Sequence, residues 1–224
     1  MHVIEKAIAE GRTTLSEYES KEFLASYGIP VTREVLVDRK EDLIKAVAEI
    51  GYPLVIKGCA AEIAHKTEKG LIRLDVRNES DAVTAFEEIM ADMTGSGKAV
   101  LIQEMVKGQR ELVVGLIRDP QFGPCVMFGL GGIFTEVLKD TSFRVAPLEN
   151  RDAFEMMHEI KAHKILEPIR GMPAADQEAL AQILITVGRI GLEHEAIKEI
   201  DINPVILSGS NPLAVDALVV LEGT

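Results

Sequence analysis

Near the C-terminal end, Glu199-Ile200-Asp201-Ile202-Asn203-Pro204 alternates polar and apolar residues one by one. In an extended strand, successive side chains point to opposite sides, so Glu199, Asp201 and Asn203 share one face and the isoleucines the other. Asp216 follows in a second apolar stretch, after a turn short enough to bring it alongside. The pattern asks for a sheet with an apolar side against a core and an oxygen-rich side. Two or three such oxygens suit Mg²⁺, which takes one or two carboxylates and completes its octahedron with phosphate and water. A solvated strand face fits the same alternation. Against it stand the apolar runs on either side, where uncompensated carboxylates are costly.

The rest of the chain supplies helices and further strands. Ser16 and Glu19 have capping-box spacing, Leu15, Tyr18, Phe23, Leu24 and Tyr27 fall on roughly one side, and Gly28 marks a helix end. Strands are predicted over 31–37, 53–57, 71–76 and 99–105, with helices over 41–50 and 80–93 and an aperiodic loop over 58–70. Beyond 107 the pattern becomes a β-rich meander, with strands over 111–117, 126–129, 135–138 and 144–146. Helices over 151–166 and 174–193 and strands over 197–206 and 213–221 close it. This is an α/β (α+β) fold, with a boundary near Glu104 to Gly108 that divides 1–103 from 104–224. No G-x-G-x-x-G or Walker A sequence occurs, which argues against a plain Rossmann or P-loop protein.

Several residues could carry chemistry, each with a plainer reading beside it. Lys57 ends the apolar strand PLVIK and can either snorkel outward or place a charge on a phosphate. His65 sits in the aperiodic loop with Lys66 and Lys69; neighbouring cations favour its neutral form, whose lone pair can attack phosphorus. An exposed loop histidine is the alternative. Gln103 to Val106 followed by Glu111 could offer backbone groups to a base and a carboxylate to a ribose, or simply connect two strands. Gly129 to Gly132 is a phosphate-covering turn or a bend. Arg144 could steady a transferring phosphoryl group or form a surface ion pair.

Their order along the chain resembles an ATP-grasp domain. The segments LSEYESKEFLASYGIPV (15–31), PLVIKGCAAEIAHKTEKG (53–70), LIQEMVKGQRELVVG (101–115), FGLGGIFTEVLKD (128–140) and EIDINPV (199–205) are similar to the β subunits of ADP-forming acetate–CoA ligases, the NDP-forming acyl-CoA synthetases. The resemblance implies two ATP-grasp subdomains with the nucleotide between them, and ATP/ADP and Mg²⁺ as cofactors. It implies an α subunit as partner, carrying the CoA-binding domain and a first phosphohistidine, in an α₂β₂ assembly. By the same resemblance His65 is a second phosphohistidine relay and Lys57 meets nucleotide phosphates. Glu104 and Val106 lie at the adenine hinge and Glu111 faces the ribose. Asn203 and Asp216 hold Mg²⁺, with Asp201 beside them. The chain departs from many relatives at Leu71, where they carry a second glycine, and at Leu218, where they carry arginine. Two rival functions stay open: a standalone ATP-grasp ligase joining a carboxylate to an amine or thiol, and a non-catalytic nucleotide-sensing subunit.

Composition narrows the partners. Asp and Glu number 36 against 24 Lys and Arg, a net charge of −12, which speaks against nucleic acid and anionic membranes. No apolar run reaches the roughly 18 residues of a membrane span, and the N-terminus lacks a secretory pattern. Two cysteines without metal-ligand spacing fit a reducing, cytoplasmic setting.

Overall fold

A computed structural model describes residues 3–60, 70–94, 97–132 and 139–223. His65 and the strand expected over 135–138 lie outside the described residues. The chain forms two compact units: Met1–Leu15, Glu19–Val31 and Lys107–Thr224 make one, and Ser16–Tyr18 with Thr32–Val106 the other. The sequence division at 103/104 sends the first residues with the N-terminal half, whereas most of them group with the C-terminal half.

The smaller unit is an antiparallel sheet in the order β1-β4-β2-β3, from β1 (Glu34–Val37), β2 (Leu54–Cys59), β3 (Ile72–Val76) and β4 (Ala99–Glu104). Helices α3 (Lys40–Ile50) and α4 (Glu79–Asp92) cover one side. Leu54, Ile56, Val100 and Ile102 point to them and pack with Leu43, Val47, Phe86 and Ile89. The Asn78 side chain accepts from the Asp81 amide at 2.9 Å and so starts α4.

The larger unit has the sheet β10-β8-β5-β6-β7, with β9 paired to the far half of β8. Its strands are β5 (Glu111–Asp119), β6 (Gly123–Leu130), β7 (Thr141–Val145), β8 (Ile197–Ser208), β9 (Asn211–Ala214) and β10 (Ala217–Leu221). Helices α5 (Asn150–Glu159) and α6 (Gln177–Glu193) cover one side, over Leu112, Val114, Leu116, Val126, Phe128, Ile200 and Ile202. Helices α1 (Val3–Ala9) and α2 (Glu17–Ser26) precede both sheets in the chain.

Two local expectations change. The helix expected over 151–166 stops at Glu159, because Ile160 is extended and the Asp140 carboxylate takes the amides of Lys161 and Ala162, each at 2.8 Å; a 3₁₀ turn follows at His163–Leu166. The last strand breaks at Val215 and Asp216 into β9 and β10, because β8 is long enough to pair with both. Among the described residues no helix is long and apolar enough to cross a membrane.

Candidate functional site

Registers decide which side chains meet in the larger unit. Asp201 stands opposite Gly115 on one side and Leu218 on the other, and Ile200 opposite Leu116 and Val219. Because Ile200, Leu116 and Val219 belong to the core, the row through Asp201 faces the side away from α5 and α6. Asn203 shares that face two residues on. Its backbone N–H donates to the Asp216 carbonyl at 3.2 Å, which sets Asp216 at the corner between β9 and β10 directly across from it. The alternation in the sequence thus becomes one oxygen-bearing face with Glu199, Asp201, Asn203 and Asp216.

Electrostatics on that face are unfavourable for carboxylates alone. Burial, with the charges of Glu199 and Asp216 added to it, pushes Asp201 up from 3.8 to about 6. A divalent cation removes this penalty, so the donor set fits Mg²⁺. Among the described residues no three His, Cys, Asp or Glu side chains form a ready metal cage. Two carboxylates and one amide are what Mg²⁺ takes when phosphate and water complete its shell.

Glu111 opens β5 beside this face. The amide of Gly132 donates to Asn203 Oδ1 at 3.2 Å. A methyl group at Gly132 would fall 1.9 Å from Glu111 Oε2 and push that carboxylate aside, and the φ of +64° strains any other residue there. The glycine turn after β6 thus meets both residues: the Gly132 amide bonds Asn203, and the Gly131 amide donates to the Glu111 carbonyl at 2.9 Å.

In the smaller unit, Lys57 pairs across the sheet with Leu101 and Ile72, on the side away from α3 and α4. Its Nζ donates to Glu17 Oε1 at 2.7 Å, and the two side chains are 5% and 1% exposed. Glu104 ends β4. Its carboxylate accepts from the Arg33 amide at 2.8 Å and from Arg33 Nε at 3.0 Å, so its side chain is committed within the unit. Val106, two residues on, is half-buried and lies past the strand's end.

Arg144 does not join the oxygen-bearing face. It stands opposite Val126, in the row that faces the helices, and donates through both terminal nitrogens to Glu159 of α5, one contact measuring 2.9 Å. Of its two sequence readings, the ion pair is the one the structure displays.

Reading the sequence missed three buried polar residues of α2. Glu17 holds Lys57, Ser20 Oγ accepts from the Val219 amide at 3.1 Å, and Lys21 Nζ donates to the Val215 carbonyl at 3.2 Å. Their i, i+3, i+4 spacing in a helix whose apolar residues leave those positions open was the available signal. Gly132 was noticed only as part of a turn.

The match to the ATP-grasp domain model runs over residues 6–221. The β subunit of acetate–CoA ligase [ADP-forming] I from Pyrococcus furiosus is 47% identical over 98% of this chain and 96% of its own. Acetate–CoA ligase [ADP-forming] I from Archaeoglobus fulgidus is 41% identical over 98% of this chain, which corresponds to 32% of that longer protein. A chain of acetyl-coenzyme A synthetase 1 from Ca. Korarchaeum cryptofilum is 44% identical, with a TM-score of 0.87 over 98% of each chain. That structure holds coenzyme A and Mg-AMPPCP, with a phosphohistidine segment pointing towards the nucleotide binding site. Matched from end to end in sequence and in fold, this chain belongs to the ATP-grasp family of ADP-forming acetate–CoA ligase β subunits.

Proposed function

We propose that this chain is the nucleotide-handling subunit of an ADP-forming acyl-CoA synthetase, which converts acyl-CoA, ADP and phosphate into the carboxylic acid, CoA and ATP. The observation that carries it is the crowded face of Asp201, Asn203 and Asp216, whose carboxylate charge calls for a cation, on which a phosphate can complete the shell. In this reading Asp201, Asn203 and Asp216 hold Mg²⁺, which when bound screens the negative charge of the phosphate groups. Lys57 places its ammonium on the nucleotide phosphates. Glu111 accepts from the ribose hydroxyls. Glu104 and Val106 meet adenine through their backbone, since the Glu104 side chain is occupied by Arg33.

His65 is the phosphoryl carrier of the proposal. A terminal oxygen of ADP attacks the phosphorus on its ring nitrogen; the N–P bond breaks as the new O–P bond forms, and the imidazole leaves neutral. Arg144 has no part in this step. The partner is an α subunit that holds CoA and the first phosphohistidine, in an α₂β₂ assembly. A cytoplasmic location accompanies the proposal.

The test is labelling with γ-labelled ATP and Mg²⁺, on wild type and His65→Ala, with and without a CoA-binding α subunit. Acid-labile, alkali-stable label on wild type and none on His65→Ala is expected. Equal label on both, or label on the α subunit alone, overturns the His65 relay. No label anywhere despite nucleotide binding overturns the synthetase reading in favour of a carboxylate–amine or carboxylate–thiol ligase.

A further inference from the structure

We propose that Glu17 is a positioning residue, which sets the Lys57 ammonium for the nucleotide's phosphates. The inference rests on the assignment of Lys57 given above. Its geometric basis is the 2.7 Å contact between Lys57 Nζ and Glu17 Oε1, with side chains 5% and 1% exposed. An ammonium so deeply placed is held in position by a carboxylate in direct contact.

The fold keeps Lys57 away from the packing that fixes its neighbours. Leu54, Ile56, Val100 and Ile102 are clamped between the sheet and α3 and α4, while Lys57 stands on the opposite side of β2. A lysine is a point charge on a flexible four-carbon stem. Holding one of its N–H groups on a carboxylate fixes where the ammonium sits. Glu17 stands at the very start of α2. The pair therefore presents a fixed donor in place of a mobile one, and a fixed donor needs less ordering when a phosphate arrives.

A purely stabilising salt bridge would show the same distance, and the experiment separates the two. The full chain is titrated by calorimetry with Mg-ADP and with adenosine, which has the same base and ribose but no phosphate. The proteins are wild type, Glu17→Gln, Glu17→Asp, Lys57→Met and the double variant Glu17→Gln/Lys57→Met, with melts of the nucleotide-free proteins run alongside. We expect Lys57→Met and Glu17→Gln each to weaken ADP binding about tenfold, the worth of one charge-assisted hydrogen bond, with adenosine unchanged. Glu17→Asp, which keeps the charge, should recover part of the loss. In the Lys57→Met background Glu17→Gln should add nothing.

Losses equal for ADP and adenosine, or persisting in the Lys57→Met background, would make the pair a stabilising contact and overturn the proposal. Should Glu17→Gln fail to fold, Glu17→Asp carries the comparison, and an unchanged ADP-to-adenosine ratio there overturns it too. If Lys57→Met leaves ADP binding intact, the assignment of Lys57 falls, and the role of Glu17 with it.

Discussion

Asp201 sits where a carboxylate is least welcome. It is largely buried and faces two further carboxylates, which pushes its pKa from 3.8 to about 6. A rise of that size corresponds to about 3 kcal/mol, and relaxation and water bring the net penalty to about 1–2 kcal/mol. Asp201→Asn should therefore raise the melting temperature of the metal-free chain by about 4 °C near pH 7.5, while Mg²⁺-dependent ADP binding is lost. A group whose folded pKa is raised contributes most stability below its unfolded value and loses it as the pH climbs through the folded value. The gain of the asparagine variant should accordingly be full above pH 6 and vanish below pH 4, as differential melts across that window would show. Arg144 is the opposite case. Its guanidinium is spent on Glu159, which it holds below the usual carboxylate range. Arg144→Ala and Glu159→Ala should each cost under about 1 kcal/mol, with no additive loss in the double variant and an unchanged turnover. The alternation from Glu199 to Asn203 was legible because a period of two needs no tertiary information. The partner of Arg144 was not, since Glu159 lies on another element and only the register of β7 says which side the arginine faces.

Elements end where something outside them competes for their backbone. The apolar spacing from Arg151 to Leu166 reads as one helix, yet Asp140 draws the amides of Lys161 and Ala162 out of it. That carboxylate is buried and lies before the helix in sequence, so no local window contains the cause. Asp140→Ala should cost about 2 kcal/mol in denaturant unfolding, the range for hydrogen bonds to a charged acceptor; a cost below about 0.5 kcal/mol would show that the break has another origin. The turn after β6 makes a second case. Gly132→Ala meets Glu111 at 1.9 Å, whereas Gly123→Ala, at φ +77° in the hairpin between β5 and β6, meets nothing within 4 Å. Both variants carry the strain of a left-handed backbone, about 1 kcal/mol. Only Gly132→Ala should also weaken ADP binding, by about tenfold, because only it displaces the carboxylate assigned to the ribose. Calorimetry on the two variants isolates the steric part from the backbone part. Helix α2 was placed by its apolar residues, but its buried polar positions, Glu17, Ser20 and Lys21, take their meaning from strands far along the chain, and a helical pattern carries no record of them.

At the scale of the whole molecule the larger of the two units is built from both ends of the chain. Leu15 donates to Val219, Leu221 donates to Thr13, and Val31 bridges Ala214, so the N-terminal segment is completed by the last strands. A boundary drawn where the texture changes, near residue 104, finds the change of sheet but not this return of the N-terminus, because pairing over some 200 positions leaves no periodic trace. The same construction bears on what the chain can do by itself. Its assigned groups are an ammonium, carboxylates and an amide suited to a nucleotide phosphate and a cation. The Archaeoglobus fulgidus relative carries the corresponding region as 32% of a longer chain, which leaves room there for the remaining chemistry. The purified chain should then bind Mg-ADP, gaining about 2.7 kcal/mol of stability at a hundredfold excess over the dissociation constant, and lose that gain when EDTA removes the metal. It should form no acyl-CoA from acid, CoA and ATP until a CoA-binding α subunit is added in trans. A melt series with Mg-ADP and a thioester assay on the same preparation check both halves. Thioester formation by the chain alone would mean that this fold holds CoA in a way its residues do not suggest, and the division of labour proposed for the two subunits would have to be abandoned.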